Sequence, residues 1–225
     1  MDGDPKAPPA TPLLVGQAMQ VQASLERVYF GLGWHGPVDV DASCIMYAGG
    51  QPVDAVSFRK LRNLETKDAS IVHTGDVLTA PGKMEGDLER IYVWLNKVPK
   101  EVDTMVLVAN VYTAGFDFSA LADAYVRVTN ADTNQELGRL SLSAGCSSLG
   151  AGMNAMIFAK LYKFNNAWQV MAIGQPMALQ GQADWRSFVP TIQASGVAIP
   201  FGAAMANMKP VPMPMPGTQQ MVSGC

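Results

Sequence analysis

Polar and apolar residues alternate along most of this chain, the period-two signature of half-buried strands. Residues 18–23, 27–32, 38–47, 53–58, 125–129, 137–142 and 168–174 carry it, each bounded by turn residues or a charge. Residues 91–95 and 105–112 are almost continuously apolar and are therefore expected as central strands. Residues 155–164 make a further long strand. Short polar or glycine breaks at Gly49-Gly50, at 130–134 and at Asn165-Asn166 read as hairpin turns. Helical periodicity is scarce, and short helices are expected at 118–123 and 183–188. Many strands at even spacing predict an all-β protein, a sandwich of two packed sheets with a few short helices.

Composition narrows the function classes. The 225 residues are 48% hydrophobic and 16% charged, enough for one globular domain with a core. Residues 1–15, rich in Pro and Ala, read as a disordered leader. Residues 16–182 read as the sandwich, 183–200 as a segment docking through Trp185 and Phe188, and 201–225 as an extended tail. A net charge of −3 supplies no basic field, so nucleic-acid binding is disfavoured. The most basic stretch, Arg59-Lys60-Leu61-Arg62, reads as an exposed strand end or loop. No apolar run reaches the ~20 residues of a membrane span. The start, Met1-Asp2-Gly3-Asp4-Pro5, lacks the basic and apolar regions of a secretion signal. Cys44, Cys146 and Cys225 are odd in number and far apart, which reads as unpaired thiols in a reducing, cytoplasmic compartment. Cys44 shares a strand face with Val40 and Ala42 and is expected as a buried, unreactive thiol.

Candidate chemistry gathers in two acidic segments. On a strand through residues 38–47, Asp39, Asp41 and Ser43 face away from Val38, Val40, Ala42 and Cys44. Two carboxylates two residues apart on one face repel unless water, a base or a cation compensates them. The second segment runs His73-Thr74-Gly75-Asp76 and, after an insertion rich in Pro and Gly, Glu85-Gly86-Asp87-Leu88-Glu89. It adds oxygen and no basic partner. Hard oxygen clusters suit calcium, which takes six to eight oxygens in flexible geometry. The competing reading is a set of solvated turns, because Asp and Gly favour turns for backbone reasons alone. An EF-hand is excluded: counting from Asp39, position six is Cys44 and position twelve is Gly50, where Gly and Glu are required. His73 reads as a turn histidine, and neither histidine partners a cysteine at zinc spacing. Gly31-x-Gly33-x-x-Gly36 is followed by Pro37 and a strand, so no phosphate cradle can form there.

Gly31-Leu32-Gly33-Trp34, Asp39-Val40-Asp41-Ala42-Ser43, His73-Thr74-Gly75-Asp76-x-Leu78-Thr79 and Gly86-Asp87-x-Glu89-x-Ile91 follow one another in an order that resembles the TerD-domain family of tellurium-resistance and stress-response proteins. Leu95-x-x-Val98-Pro99, Tyr125-Val126-Arg127-Val128, Trp168 and Ala172-Ile173-Gly174-Gln175 extend the resemblance across about residues 17–181. It implies a β-sandwich whose acidic loops bind calcium, with Asp39, Asp41, Asp76, Glu85, Gly86, Asp87 and Glu89 as the ligand set. Departures are visible. Val77 stands where the family has Asn, Leu88 replaces an acid, and His35 follows Trp34 in place of one. They imply a single weak calcium site.

Two function classes follow. The first is a non-catalytic calcium-binding module of the stress-response type, acting through protein–protein contacts. The second is a structural or assembly component that kept the fold with weakened or lost calcium binding. Its partners, or further copies in a homo- or hetero-oligomer, would use edge strands or the tail, where Met205, Met208, Met213, Met215 and Met221 lie among Pro210, Pro212, Pro214 and Pro216.

Overall fold

The computed structural model describes residues 12–66, 68–78, 86–141, 151–180 and 184–200. The tail expected at 201–225, most of the leader, Glu85, Cys146 and Cys225 lie outside the described residues. Among the described residues eleven strands form two antiparallel sheets, as the alternation predicts. The six-stranded sheet has the order β1 (Ala18–Gln20), β11 (Ala167–Met177), β10 (Ala155–Phe164), β7 (Thr104–Val111), β3 (Val40–Ala48) and β4 (Gln51–Ser57). The five-stranded sheet has the order β5 (Ile71–His73), β6 (Glu89–Trp94), β2 (Arg27–His35), β8 (Ala122–Asn130) and β9 (Glu136–Ser141).

The hairpin turns fall where the sequence places them, for a backbone reason. Gly49 and Gly50 join β3 to β4 with φ of 57° and 79°, and Asn165 and Asn166 join β10 to β11 with φ of 49° and 61°. Two successive positive φ values make the turn whose twist matches an antiparallel ribbon, and Gly and Asn reach that region at low cost.

The core lies between the sheets. Val28, Phe30 and Leu32 of β2 meet Val40, Cys44 and Met46 of β3 and Leu107 of β7 in one buried cluster. Strand β7 is buried at every residue, as its apolar run predicts. Strand β6 differs: it lies beside the short edge strand β5, and its residues alternate between buried and half-buried. Its outward Tyr92 and Trp94 are covered by Tyr29 and Arg27.

A second buried cluster occupies the opposite face of the six-stranded sheet, with Ile45, Tyr47, Val106, Val108 and Ile157 beneath Phe188 and Ile192. These last two come from a short 3-10 helix (Trp185–Phe188) and helix α1 (Val189–Ser195). The expected helix at 183–188 therefore continues a further seven residues, with Pro near its start and Gly196 in the left-handed region at its end. The helix expected at 118–123 is a single 3-10 turn (Phe118–Ala120), after which β8 begins. Leu13, placed by the sequence in the leader, is buried in the inter-sheet core and donates its N–H to the Arg139 carbonyl.

Candidate metal centre

The centre sits at the open end of β3. Strand β4 pairs with β3 over Ser43 to Ala48, so among the described residues no strand pairs with that edge of β3 from Ala42 back toward Asp39. An unpaired buried N–H there needs another acceptor. Glu89 supplies it: Oε2 accepts the Ala42 N–H at 2.8 Å, and Oε1 accepts the Val77 N–H at 3.4 Å. One fully buried carboxylate thus ties Asp41's strand to the loop that carries Asp76.

His73 supports that loop. Its Nδ1 accepts the Gly75 N–H at 3.0 Å, which leaves the proton of the neutral ring on Nε2. Nε2 stands 3.3 Å from Glu89 Oε2, in electrostatic contact but misaligned for a strong hydrogen bond. Gly75 has φ of +109°, a conformation side chains rarely adopt, and it turns the chain so that Asp76 follows.

Asp39, Asp41 and Asp76 each place one carboxylate oxygen within 4.8 Å of the others, so the three could hold a metal ion. Asp76 is exposed and opens the cluster to solvent, while Asp39 is 9% and Asp41 2% exposed. Among the described residues, both Asp41 oxygens and Asp39 Oδ1 are buried without a hydrogen-bond partner. Buried carboxylates are ordinarily paired, because desolvating an ion uncompensated is costly. The cost appears in their proton affinities. Burial, and then the charges of Asp76 and Glu89, push the Asp39 carboxyl up to about 6. Burial, and then Asp39, Glu89 and Asp76, push Asp41 up to about 8, with Arg59 pulling the other way. A cation among these oxygens would relieve both effects.

Opposite Asp41 in the register lies Asn110, 3% exposed, with an unpartnered Nδ2. Directly opposed residues share a sheet face, so a neutral amide sits beside the carboxylates and leaves their charge uncompensated. Sequence reasoning passed over Asn110, although a polar residue interrupting the apolar run of β7 was the available signal.

The remaining residues of the expected ligand set go elsewhere. Glu85 lies outside the described residues. Gly86 is exposed, with φ of +107°. Asp87 does not join the cluster. Its carboxylate lies over Gly31 of β2, where an added Cβ would stand 2.3 Å from Asp87 Cγ. Gly31 alternates with the core residues Phe30 and Leu32, so Asp87 is on the outer face of the five-stranded sheet. There Arg127 binds it in bidentate fashion, with Nε and Nη2 each at 2.7 Å, and Arg90 Nε reaches it at 3.1 Å. Glu89 faces the cluster with both oxygens already committed to backbone N–H groups.

Cys44 is a buried free thiol in the inter-sheet core, and burial pushes it up to about 12, as its apolar face predicts. No helix among the described residues is long and apolar enough to cross a membrane.

A two-sheet antiparallel sandwich with a recessed, unpaired carboxylate cluster at one strand end defines a class of candidate cation-binding β-proteins. The TerD domain model matches residues 10–182, and the chain belongs to that family. It is 33% identical over 165 residues to the tellurium resistance protein TerD of Serratia marcescens, covering 69% of this chain and 83% of that protein. Against general stress protein 16U of Bacillus subtilis it is 34% identical over 161 residues, with coverage of 67% and 80%. The fold matches the crystal structure of a TerD homologue from Streptomyces coelicolor with a TM-score of 0.56 at 18% identity, over 74% of this chain and 96% of that one.

Proposed function

We propose that this chain is a non-catalytic calcium-binding module of the stress-response type, working through contacts with other proteins. The observation that carries the reading is Asp41, buried with both carboxylate oxygens unpartnered beside two more carboxylates. Asp39, Asp41 and Asp76 would hold the ion, with water completing the coordination on the open Asp76 side. A bound ion would supply a positive charge in direct contact with these oxygens, which no described side chain does. An all-oxygen donor set favours a hard cation, calcium above zinc or copper. Three carboxylates are few for calcium, and Asp87 is spent on Arg127 and Arg90. That fits one site of modest affinity. Related proteins named for tellurium resistance and stress response support placing the module in that process.

Thermal melting in chelator and in millimolar calcium tests the reading. An ion that binds only the folded form adds about 2.7 kcal/mol at a hundredfold excess over Kd. The melting midpoint should rise by several degrees in the wild type and stay fixed in Asp41→Asn. Equal midpoints for the wild type with and without calcium would reject the proposal.

A further inference from the structure

One guanidinium, that of Arg59, is anchored on the frame of the carboxylate cluster and forms no ion pair among the described residues; it comes from the stretch the sequence presents as an exposed strand end. Three contacts fix its place. Its backbone N–H donates to Ser57 Oγ at 3.3 Å, and residues 57 and 60 close a tight turn through reciprocal 3.0 Å backbone bonds. The guanidinium packs over the Phe58 ring, 5.1 Å from its centroid. Nη2 donates to Tyr112 Oη at 3.1 Å.

Tyr112 is itself part of the cluster's frame. Its ring meets Phe58 edge-on at 5.5 Å, and its N–H donates to the Asp39 carbonyl at 2.9 Å. Two neighbouring cations are committed elsewhere: Lys60 pairs with Asp54, and Arg186 with Asp184. Arg59 is thus a cation anchored through Tyr112 on the segment that carries Asp39, just past the end of β4 where its pairing with β3 stops. Among the described residues it is the basic group whose field acts on Asp41.

We propose that Arg59 is a resident counter-cation that sets how tightly the centre of Asp39, Asp41 and Asp76 holds a divalent ion. The proposal rests on the cation-binding reading above and adds a determinant to it. Arg59 acts through space and is not a ligand. In the metal-free protein it offsets part of the repulsion among the acids. When a divalent ion enters, the same charge repels the ion and holds affinity down. An oxyanion that paired with Arg59's remaining N–H groups would lift that repulsion, so the centre would bind cations more tightly in its presence.

The two signs together make the test. Calcium binding is measured by titration calorimetry for the wild type, Arg59→Gln and Arg59→Lys, and each is melted in chelator. Arg59→Gln should bind calcium about threefold to tenfold more tightly at low ionic strength, with the gain shrinking to within about twofold in half-molar salt. Its metal-free form should melt lower than the wild type. Arg59→Lys keeps the charge and should stay within about twofold of the wild-type affinity. A residue needed only for its contacts with Phe58 and Tyr112 would give Arg59→Gln weaker or unchanged binding, and that result overturns the proposal while leaving the calcium site intact. If the wild type fails to bind but Arg59→Gln does, the proposal stands and the calcium reading of the native chain falls. If neither binds, both fall.

Discussion

Two acidic constellations that lie close together in the sequence meet opposite fates in the fold. Among the described residues, recessed Asp41 has both oxygens and recessed Asp39 one oxygen unpartnered, and both carboxyls are pushed upward, to about 8 and about 6. Asp87 is equally shielded, its side chain without exposure, yet Arg127 and Arg90 grip it. Tyr125 Oη adds a contact at 3.3 Å, and Arg127 and Arg90 both lie over the Tyr29 ring. Burial is common to both regions, and compensation separates them. A shielded carboxylate with a guanidinium fork is part of the architecture, whereas two shielded ones without a fork, beside the exposed Asp76, could hold an ion.

The sharpest way to break this contrast is Asp87→Asn. It would leave Arg127, whose side chain is 15% exposed, and Arg90 facing each other without the carboxylate between them. Stripping one partner from a buried pair is the costly direction, and a loss of about 4 kcal/mol is expected in denaturant unfolding. The calcium-induced shift in melting should survive, because Asp87 takes no part in the centre. If Asp87→Asn instead abolished the shift and left stability unchanged, the division between the two regions would be wrong.

The division also marks how far the sequence could be read. Spacing of two along β3 was sufficient to put Asp39 and Asp41 on one face, because strand alternation is local. The hairpins at Gly49-Gly50 and Asn165-Asn166 were readable for the same reason. Asp87 was not, since its fate depends on Arg127, forty residues away on β8, and on the space above Gly31. Long-range register leaves no local trace. Strand β5, Ile71–His73, is too short for its period to register. Helix α1 did carry signals, in Pro190 and Gly196, and its segment was expected to dock through Trp185 and Phe188, but nothing local marks the sheet face of Ile45 and Ile157 as the one that receives it.

Protons sharpen the comparison next. Asp39 and Asp41 have folded-state values raised above the ordinary value of 3.8. Between about pH 4 and pH 8 the folded protein therefore holds protons that the unfolded chain has released. Stability in chelator should fall as pH rises through that window, by about 3 kcal/mol in all. Asp41→Asn should flatten most of the fall and make the metal-free protein more stable than wild type at pH 8. Calcium should cancel the same loss, and because it displaces a proton its affinity should rise from pH 6 to pH 8. Urea titrations across that range, with and without calcium, provide the check. A wild-type chelator profile that rises toward pH 8 would mean the acids are less buried than the geometry has them.

Lys160 tests whether burial alone, with no carboxylate for company, leaves a mark of the same kind in the opposite charge. It is 4% exposed on β10, donating through Nζ to the Ile199 carbonyl at 2.9 Å and lying 4.8 Å from the centroid of the Tyr162 ring. Burial pulls its ammonium down to about 8 from 10.5. Here the unfolded chain binds the proton more tightly, so stability should increase as pH rises from about 8 to about 10.5. The gain from this group should be about 2 kcal/mol, since the carbonyl and the ring face offset part of the desolvation. Other lysines titrate in the same window, so the difference between the wild type and Lys160→Met isolates the effect. Lys160→Met should lack the alkaline gain, and it should match or exceed wild-type stability at pH 7 because the cost of burying a charge is gone. It should leave calcium affinity unchanged, because Lys160 contacts neither the carboxylate cluster nor Arg59. A variant that loses stability at pH 7 and keeps the full alkaline gain would show that the carbonyl bond to Ile199, rather than the buried charge, dominates at this position.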